Sequence, residues 1–170
     1  MRYERTRTAG LLLGVGLGGF IDGIALHQIA HWHQMLSWAL PPDSMETMRF
    51  NMQADGWFHL MMWLVTLAGV FVLWSAVRGA GPLPTTRTLC GHMLVGWGGF
   101  NLVEGIINHH VLELHHVRDL PMHVPLYDWL FLLIGGVGFI LVGLVLRDGR
   151  DRESAYERRS GRERRLSGSL

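Results

Sequence analysis

Apolar positions along the chain gather into four long runs, at approximately residues 9–37, 51–77, 88–116 and 124–146, separated by short polar stretches. Each run is long enough to cross the roughly 30 Å hydrocarbon core of a bilayer as a helix. The pattern predicts an all-α fold, an integral membrane four-helix bundle. Residues 1–150 would form this transmembrane domain. Residues 151–170 would form an Arg-rich cytoplasmic tail, whose interleaved acids and arginines and few apolar residues predict disorder or a seat on anionic lipid. The first run is read as a retained span, because it is long for a signal peptide and no small-x-small cleavage site follows it.

The runs repeat. "GGFIDGIALH" in the first and "GGFNLVEGIINH" in the third place acid-Gly-Ile-x-x-His in common, as Asp22, Gly23, Ile24 and His27 against Glu104, Gly105, Ile106 and His109. Held in register from the acid, His31 falls opposite Glu113 and His33 opposite His115. Two hairpins so related imply an axis along the membrane normal, with spans one and three as the inner pair. Gly10, Gly14 and Gly18, spaced every fourth residue, read as a close-packing face.

Composition changes this picture little. Charged residues make up 17% of the chain, too few to coat a soluble domain. The formal charge of +1 conceals an asymmetry: Arg2, Arg5 and Arg7 precede span one, Arg78 and Arg87 bracket the second loop, and further arginines fill the tail. The positive-inside rule then predicts a multi-pass protein of the bacterial inner membrane with both termini cytoplasmic. Trp32, Trp38, Trp57 and Trp129 would form an outer aromatic belt. The basic residues lie where topology needs them, so no nucleic-acid function is expected. The single Cys90 has no disulfide or CxxC partner and reads as a small packing residue.

The candidate chemistry is in the histidines. At about 1.5 Å of rise per residue, His27, His59 and His109 reach one level, about 27–31 Å from the cytoplasmic end of three different helices. His31, Asp55, His110, Glu113 and Asp128 fall within a turn or two of that level, whereas His92 lies near the inner end. Helical spacing would pair His27 with His31 and Asp55 with His59, and align His109, Glu113 and His116 on one face. Ionisable groups in a span are costly unless paired, hydrated or metal-bound. The predicted metal ligands are therefore His27, His31, His59, His109, Glu113 and His116, with Asp55, His110 and Asp128 as additional candidates. Asp22 and Glu104 lie five residues before His27 and His109, about 140° away on an α-helical wheel. They are expected either to hydrogen-bond across the pseudo-twofold axis or to bond a ligand's other nitrogen, rather than to ligate. Met45, Met48 and Met52 in one outer loop, and Met122 beside His123 in the other, add soft donors that favour Cu(I).

The motifs "GGFIDGIALHQIAHWHQM", "ADGWFHL" and "NLVEGIINHHVLELHHV", with the four-span layout, resemble a family of small bacterial membrane proteins catalogued as a domain of unknown function. The resemblance covers approximately residues 10 to 146. It implies the topology and a shared His/acid pattern, but no reaction.

Three readings remain open. The cluster is a redox metal centre or metalloenzyme site, holding copper or iron in preference to zinc. Alternatively, the protein handles copper or iron, or assists assembly of a respiratory oxidase, with a respiratory or metal-trafficking membrane complex as partner beyond the lipid bilayer. Haem between two histidines is the third. A homo-oligomer is compatible with each. The arginine asymmetry carries the first prediction: reporter fusions at Met45 and at the tail should report opposite sides of the membrane, and agreement between them would refute the topology.

Overall fold

The computed structural model describes residues 2–80 and 83–147. The tail expected at 151–170 lies outside the described residues. Four helices and no strand are present among those described: α1 (Arg2–Ile29), α2 (Met45–Val77), α3 (Thr86–Glu104, extended by a wider turn Gly105–Val111) and α4 (Pro125–Arg147). Helices α1, α2 and α4 are long and apolar enough to cross a membrane. Their starts are locally encoded. Ser44 caps α2 in a reciprocal capping box with Thr47, Thr85 accepts from the Thr88 N–H at the head of α3, and α4 opens on Pro125, where a missing N–H costs nothing.

Helices α1 and α3 form the inner pair, as the repeat predicts; α2 packs on α1, and α4 packs on α3. Glycines set the spacing. A Cβ on Gly14 would drive into the Met93 carbonyl, and one on Gly96 into that of Leu11, so the α1 and α3 backbones touch directly. Gly10 and Gly18 turn to the same neighbour, against His92 and Trp97, while Gly16 and Gly19 admit Thr66 and Met62 of α2.

The interior is polar and the exterior apolar. Among the described residues only Ala9, Leu13, Met62, Ala76 and Val117 are buried apolar side chains, whereas Asp22, His27, His33, Asn51, Asp55, His92, Glu104, His109, His115 and Asp128 are all buried. Large apolar side chains of α2 and α4, among them Trp63, Phe71, Trp74, Leu133, Leu141 and Val145, face outward. Only 17% of the apolar window in each of these helices is buried, against 50% in α1, so α2 and α4 present the main lipid-facing surfaces.

The inner helices end earlier than the apolar runs suggest. The sequence pattern carries helix to residues 37 and 116; instead α1 ends at Ile29 and α3 is exhausted at Val111. Both widen first. Ala30 N–H donates to Ala25 O and Leu112 N–H to Ile107 O, each spanning five residues. Trp32 N–H then reaches Leu26 O and Leu114 N–H reaches Asn108 O. His31 and Glu113 follow with φ of 51° and 48°, the left-handed region, and turn the chain out of the helix axis. All these positions agree with the register of the repeat.

The emerging segments, residues 30–44 and 112–124, clasp each other. Trp38 and Ala39 N–H groups donate to Leu114 O, and Asp119 and Leu120 N–H groups donate to Trp32 O. At the other end of the bundle Arg2 bonds the Ala76 and Val77 carbonyls, closing the first hairpin. The histidine-rich end is thus opposite the arginine-rich end.

Direct α1–α3 backbone contact sets an expected outcome. Gly14→Leu or Gly96→Leu should lower stability by about 3 kcal/mol or more, since neither backbone can yield locally. Gly99→Ala, whose Cβ meets nothing within 4 Å, should be neutral or stabilising. Thermal unfolding in mild detergent separates the two outcomes.

Candidate metal centre

The wide turns decide where the ligands go. In an α-helix, residues five apart point in different directions; a turn closing over five residues brings them together. Asp22 Oδ2 therefore lies 3.5 Å from His27 Nε2, and Glu104 Oε1 lies 3.3 Å from His109 Nε2. This corrects the α-helical wheel, which pointed both acids away from these histidines.

Each histidine near the axis is oriented from behind. His27 Nδ1 donates to Asp55 Oδ1 of α2 at 2.9 Å, and His109 Nδ1 lies 3.2 Å from Asp128 Oδ1 of α4. The same two oxygens accept the backbone N–H groups of Met35 and Val117, each at 2.8 Å. Asp55 and Asp128 thus fasten a loop and orient a histidine together. His33 Nδ1 donates to Val117 O and His115 Nδ1 donates to Met35 O, both at 2.9 Å, so each loop supplies the acceptor for the other loop's histidine. Asn51 supports the first loop, accepting from Leu36 N–H and donating to Leu40 O.

These bonds fix tautomers. A carbonyl only accepts, so Nδ1 of His33 and His115 carries the hydrogen and Nε2 keeps its lone pair when the ring is neutral. Burial lowers the His33 pKa well below its ordinary 6.5, helped by nearby His115 and His27, so this ring is neutral at neutral pH. The His33 and His115 rings stack at 4.6 Å within 7° of parallel. His27 stands 4.3 Å from His33, and His109 stands 5.1 Å from His115, by ring centroids. His115 Nε2 approaches Glu104 Oε1 at 2.9 Å. Two lone-pair atoms at that distance need a proton or a cation between them. The Nε2 atoms of His27 and His33 and the second oxygens of Asp55 and Glu104 are buried without a hydrogen-bond partner.

Three groups bring their ligand atoms within 4.8 Å of one another, close enough to hold a metal ion: His27, His33 and His115; Glu104, His109 and His115; and His116, His123 and Asp128. The first two share His115 and form a single core. The third sits outside it, where burial lowers the His116 pKa while Asp128 opposes that shift.

The sequence-predicted ligands divide accordingly. His27 and His109 are in the core, His116 in the outer group, and Asp55 and Asp128 stand behind the core histidines, Asp128 also contributing to the outer group. Glu104 lies at ligand distance and Asp22 slightly farther. His59 is outside all three groups: its Nδ1 donates to Asp55 O at 2.8 Å and its ring stacks on Phe20. His31, His110 and Glu113 are exposed and also outside them, His110 lying against Trp129. Met48 and Met52 line a cavity of about 760 Å³ with His31, His59, His27 and Asp55, while Met45 lines a shallow pocket beside Arg49. His33 and His115 were used only to set the register of the repeat. Identity at matched positions, shared by His27/His109 and His33/His115 but broken at His31/Glu113, was the signal that marked them.

A family model described as "Predicted membrane protein (DUF2243)" matches residues 9–150. The chain belongs to this family. No match to the chain was found among curated proteins or solved structures. The matched span takes in α1 from Ala9 onward, all of α2, α3 and α4, and every residue of the three ligand groups.

Left-handed backbone at exposed His31 and Glu113 sets another outcome. His31→Gly and Glu113→Gly should leave stability unchanged or raise it by up to about 1 kcal/mol, by removing strain. Asp55→Ala, which strands both His27 and the Met35 N–H, should lower it by about 1–3 kcal/mol. Unfolding midpoints of the three variants check the ranking.

Proposed function

We propose that the protein is an integral membrane metalloprotein whose core, His27, His33, His109, His115 and Glu104, holds a transition metal, copper or iron, for redox chemistry. One observation carries this reading: four convergent imidazoles turn Nδ1 toward an oxygen, hydrogen-bonded in His27, His33 and His115 and 3.2 Å from Asp128 Oδ1 without a hydrogen bond in His109, and turn Nε2 toward the shared core. Metal-bound histidines are oriented in this way, by a carboxylate or backbone carbonyl on the far nitrogen. A purely structural network would pair those inner nitrogens with donors; those of His27 and His33 are instead buried without a hydrogen-bond partner. Imidazole-rich donors with a carboxylate suit iron and copper. Parallel rings of His33 and His115 only 4.6 Å apart favour a non-haem centre, since bis-histidine haem needs the imidazoles on opposite faces of a macrocycle.

The chain's groups have separable roles. Asp55 and Asp128 hold His27 and His109, the exchanged carbonyls hold His33 and His115, and Asp22 and Glu104 supply negative charge to the core. The arginine distribution supports a core toward the outer face of the bacterial inner membrane, with both termini cytoplasmic. The second reading, delivery of copper or iron to a respiratory or metal-trafficking complex, is favoured by the Met48- and Met52-lined cavity, which touches His27 and Asp55.

Protein purified in mild detergent without chelator should carry copper or iron near stoichiometrically by elemental analysis. His33→Ala/His115→Ala should remove the core-bound metal while retaining helical circular dichroism. Metal content equal to that of the wild type in this variant would overturn the reading, and an intense Soret band in the wild type would replace it with haem.

A further inference from the structure

The core obeys the repeat: His27 matches His109, His33 matches His115, Asp22 matches Glu104, and Asp55 and Asp128 do the same work. The outer group breaks it. Gln34 stands in the first half where His116 stands in the second, and the first loop has no counterpart of His123. Duplicated architecture accounts for the core's geometry but not for these two histidines.

Their surroundings are those of a ligand set. The His116 and His123 rings approach to 4.0 Å, and Trp38 stacks on His116 at 4.9 Å. His116 Nδ1 is buried with no hydrogen-bond partner, while His123 Nε2 meets Asp128 Oδ2 at 3.0 Å. The His123 side chain is 25% exposed, so the group opens outward where the core histidines do not. Asp128 joins the two places, with Oδ1 on His109 Nδ1 and Oδ2 on His123.

We propose that His116, His123 and Asp128 form a second, outward-facing site for a divalent first-row transition metal. It is distinct from the core and linked to it through the Asp128 carboxylate. Two imidazoles and a carboxylate are a three-ligand set for such an ion, leaving a position for water or an incoming donor. A site with an open position and one ligand, His123, partly exposed exchanges its ion with the outside. The Asp128 bridge makes it the antechamber of the core, because a cation on Oδ2 withdraws charge from the oxygen that orients His109.

The test is Co(II) titration of the full chain in detergent, read by bound-metal stoichiometry and by quenching of tryptophan emission. The wild type should bind one Co(II) more than His116→Gln/His123→Gln, whose first change copies Gln34 of the other half. Bound Co(II) beside Trp38 should quench emission that is missing from Trp38→Phe, and this quenching should be lost in the double variant. His33→Ala/His115→Ala should keep the Trp38 quenching while losing core metal, which separates this site from the core. Equal Co(II) uptake by the wild type and the folded double variant overturns the proposal, as does quenching unchanged by Trp38→Phe. If the double variant does not fold, the Trp38→Phe comparison and the His33→Ala/His115→Ala arm decide alone.

Discussion

The geometry of the core depends on two hydrogen bonds that cross its pseudo-twofold axis, from His33 to the Val117 carbonyl and from His115 to the Met35 carbonyl. Each ties the end of one hairpin to the side chain of the other, and each decides which ring nitrogen faces inward. Loop position and ligand orientation are therefore coupled. The Asp55 and Asp128 carboxylates repeat the linkage one layer out, because the oxygen that takes a loop N–H also faces the Nδ1 of His27 or His109. A soluble protein orients buried histidines against a preformed apolar core. Here the apolar material is outside, and directed polar bonds do what packing does elsewhere.

Such an interior is expensive. A buried carboxylate or imidazole must find partners or forfeit its hydration, and this chain concentrates many of them at one end of the bundle. The glycine contacts between α1 and α3 bear on the same problem at the other end. By letting the two backbones touch, they bind the inner helices through van der Waals contact, where lipid removes most of the hydrophobic drive for helix association. Rigid glycine packing below and reciprocal polar bonds above divide the work of holding the hairpins together.

Much of this was legible in the sequence, for identifiable reasons. Length and hydropathy give four helices, three of them long and apolar enough to cross a membrane, and the repeated acid-Gly-Ile-x-x-His gives the inner pair, since both depend on local pattern. Depth along a helix brings His27 and His109 to one level because rise per residue is nearly constant. Direction was not legible past Gly23 and Gly105. There the helices widen, and an α-helical wheel misplaces everything that follows: Glu104 is at ligand distance from His109, while His31 and Glu113 turn outward at positive φ. The contributions of His33 and His115 rest on carbonyls 84 and 80 residues away in sequence, a pairing that no local spacing encodes.

The widened turn also bears on what a single hairpin can do. A helix that closes over five residues accommodates one more residue per turn than its neighbours, and here it occurs at the same register in both hairpins, followed at matched positions by a left-handed residue, His31 or Glu113. The turn therefore belongs to what the two hairpins share, while Gln34 and His116 belong to what they do not. A hairpin by itself lacks the acceptor for its own loop histidine, because the carbonyl that takes His33 Nδ1–H lies in the other half. Two hairpins are thus the smallest unit in which His33 and His115 are both oriented.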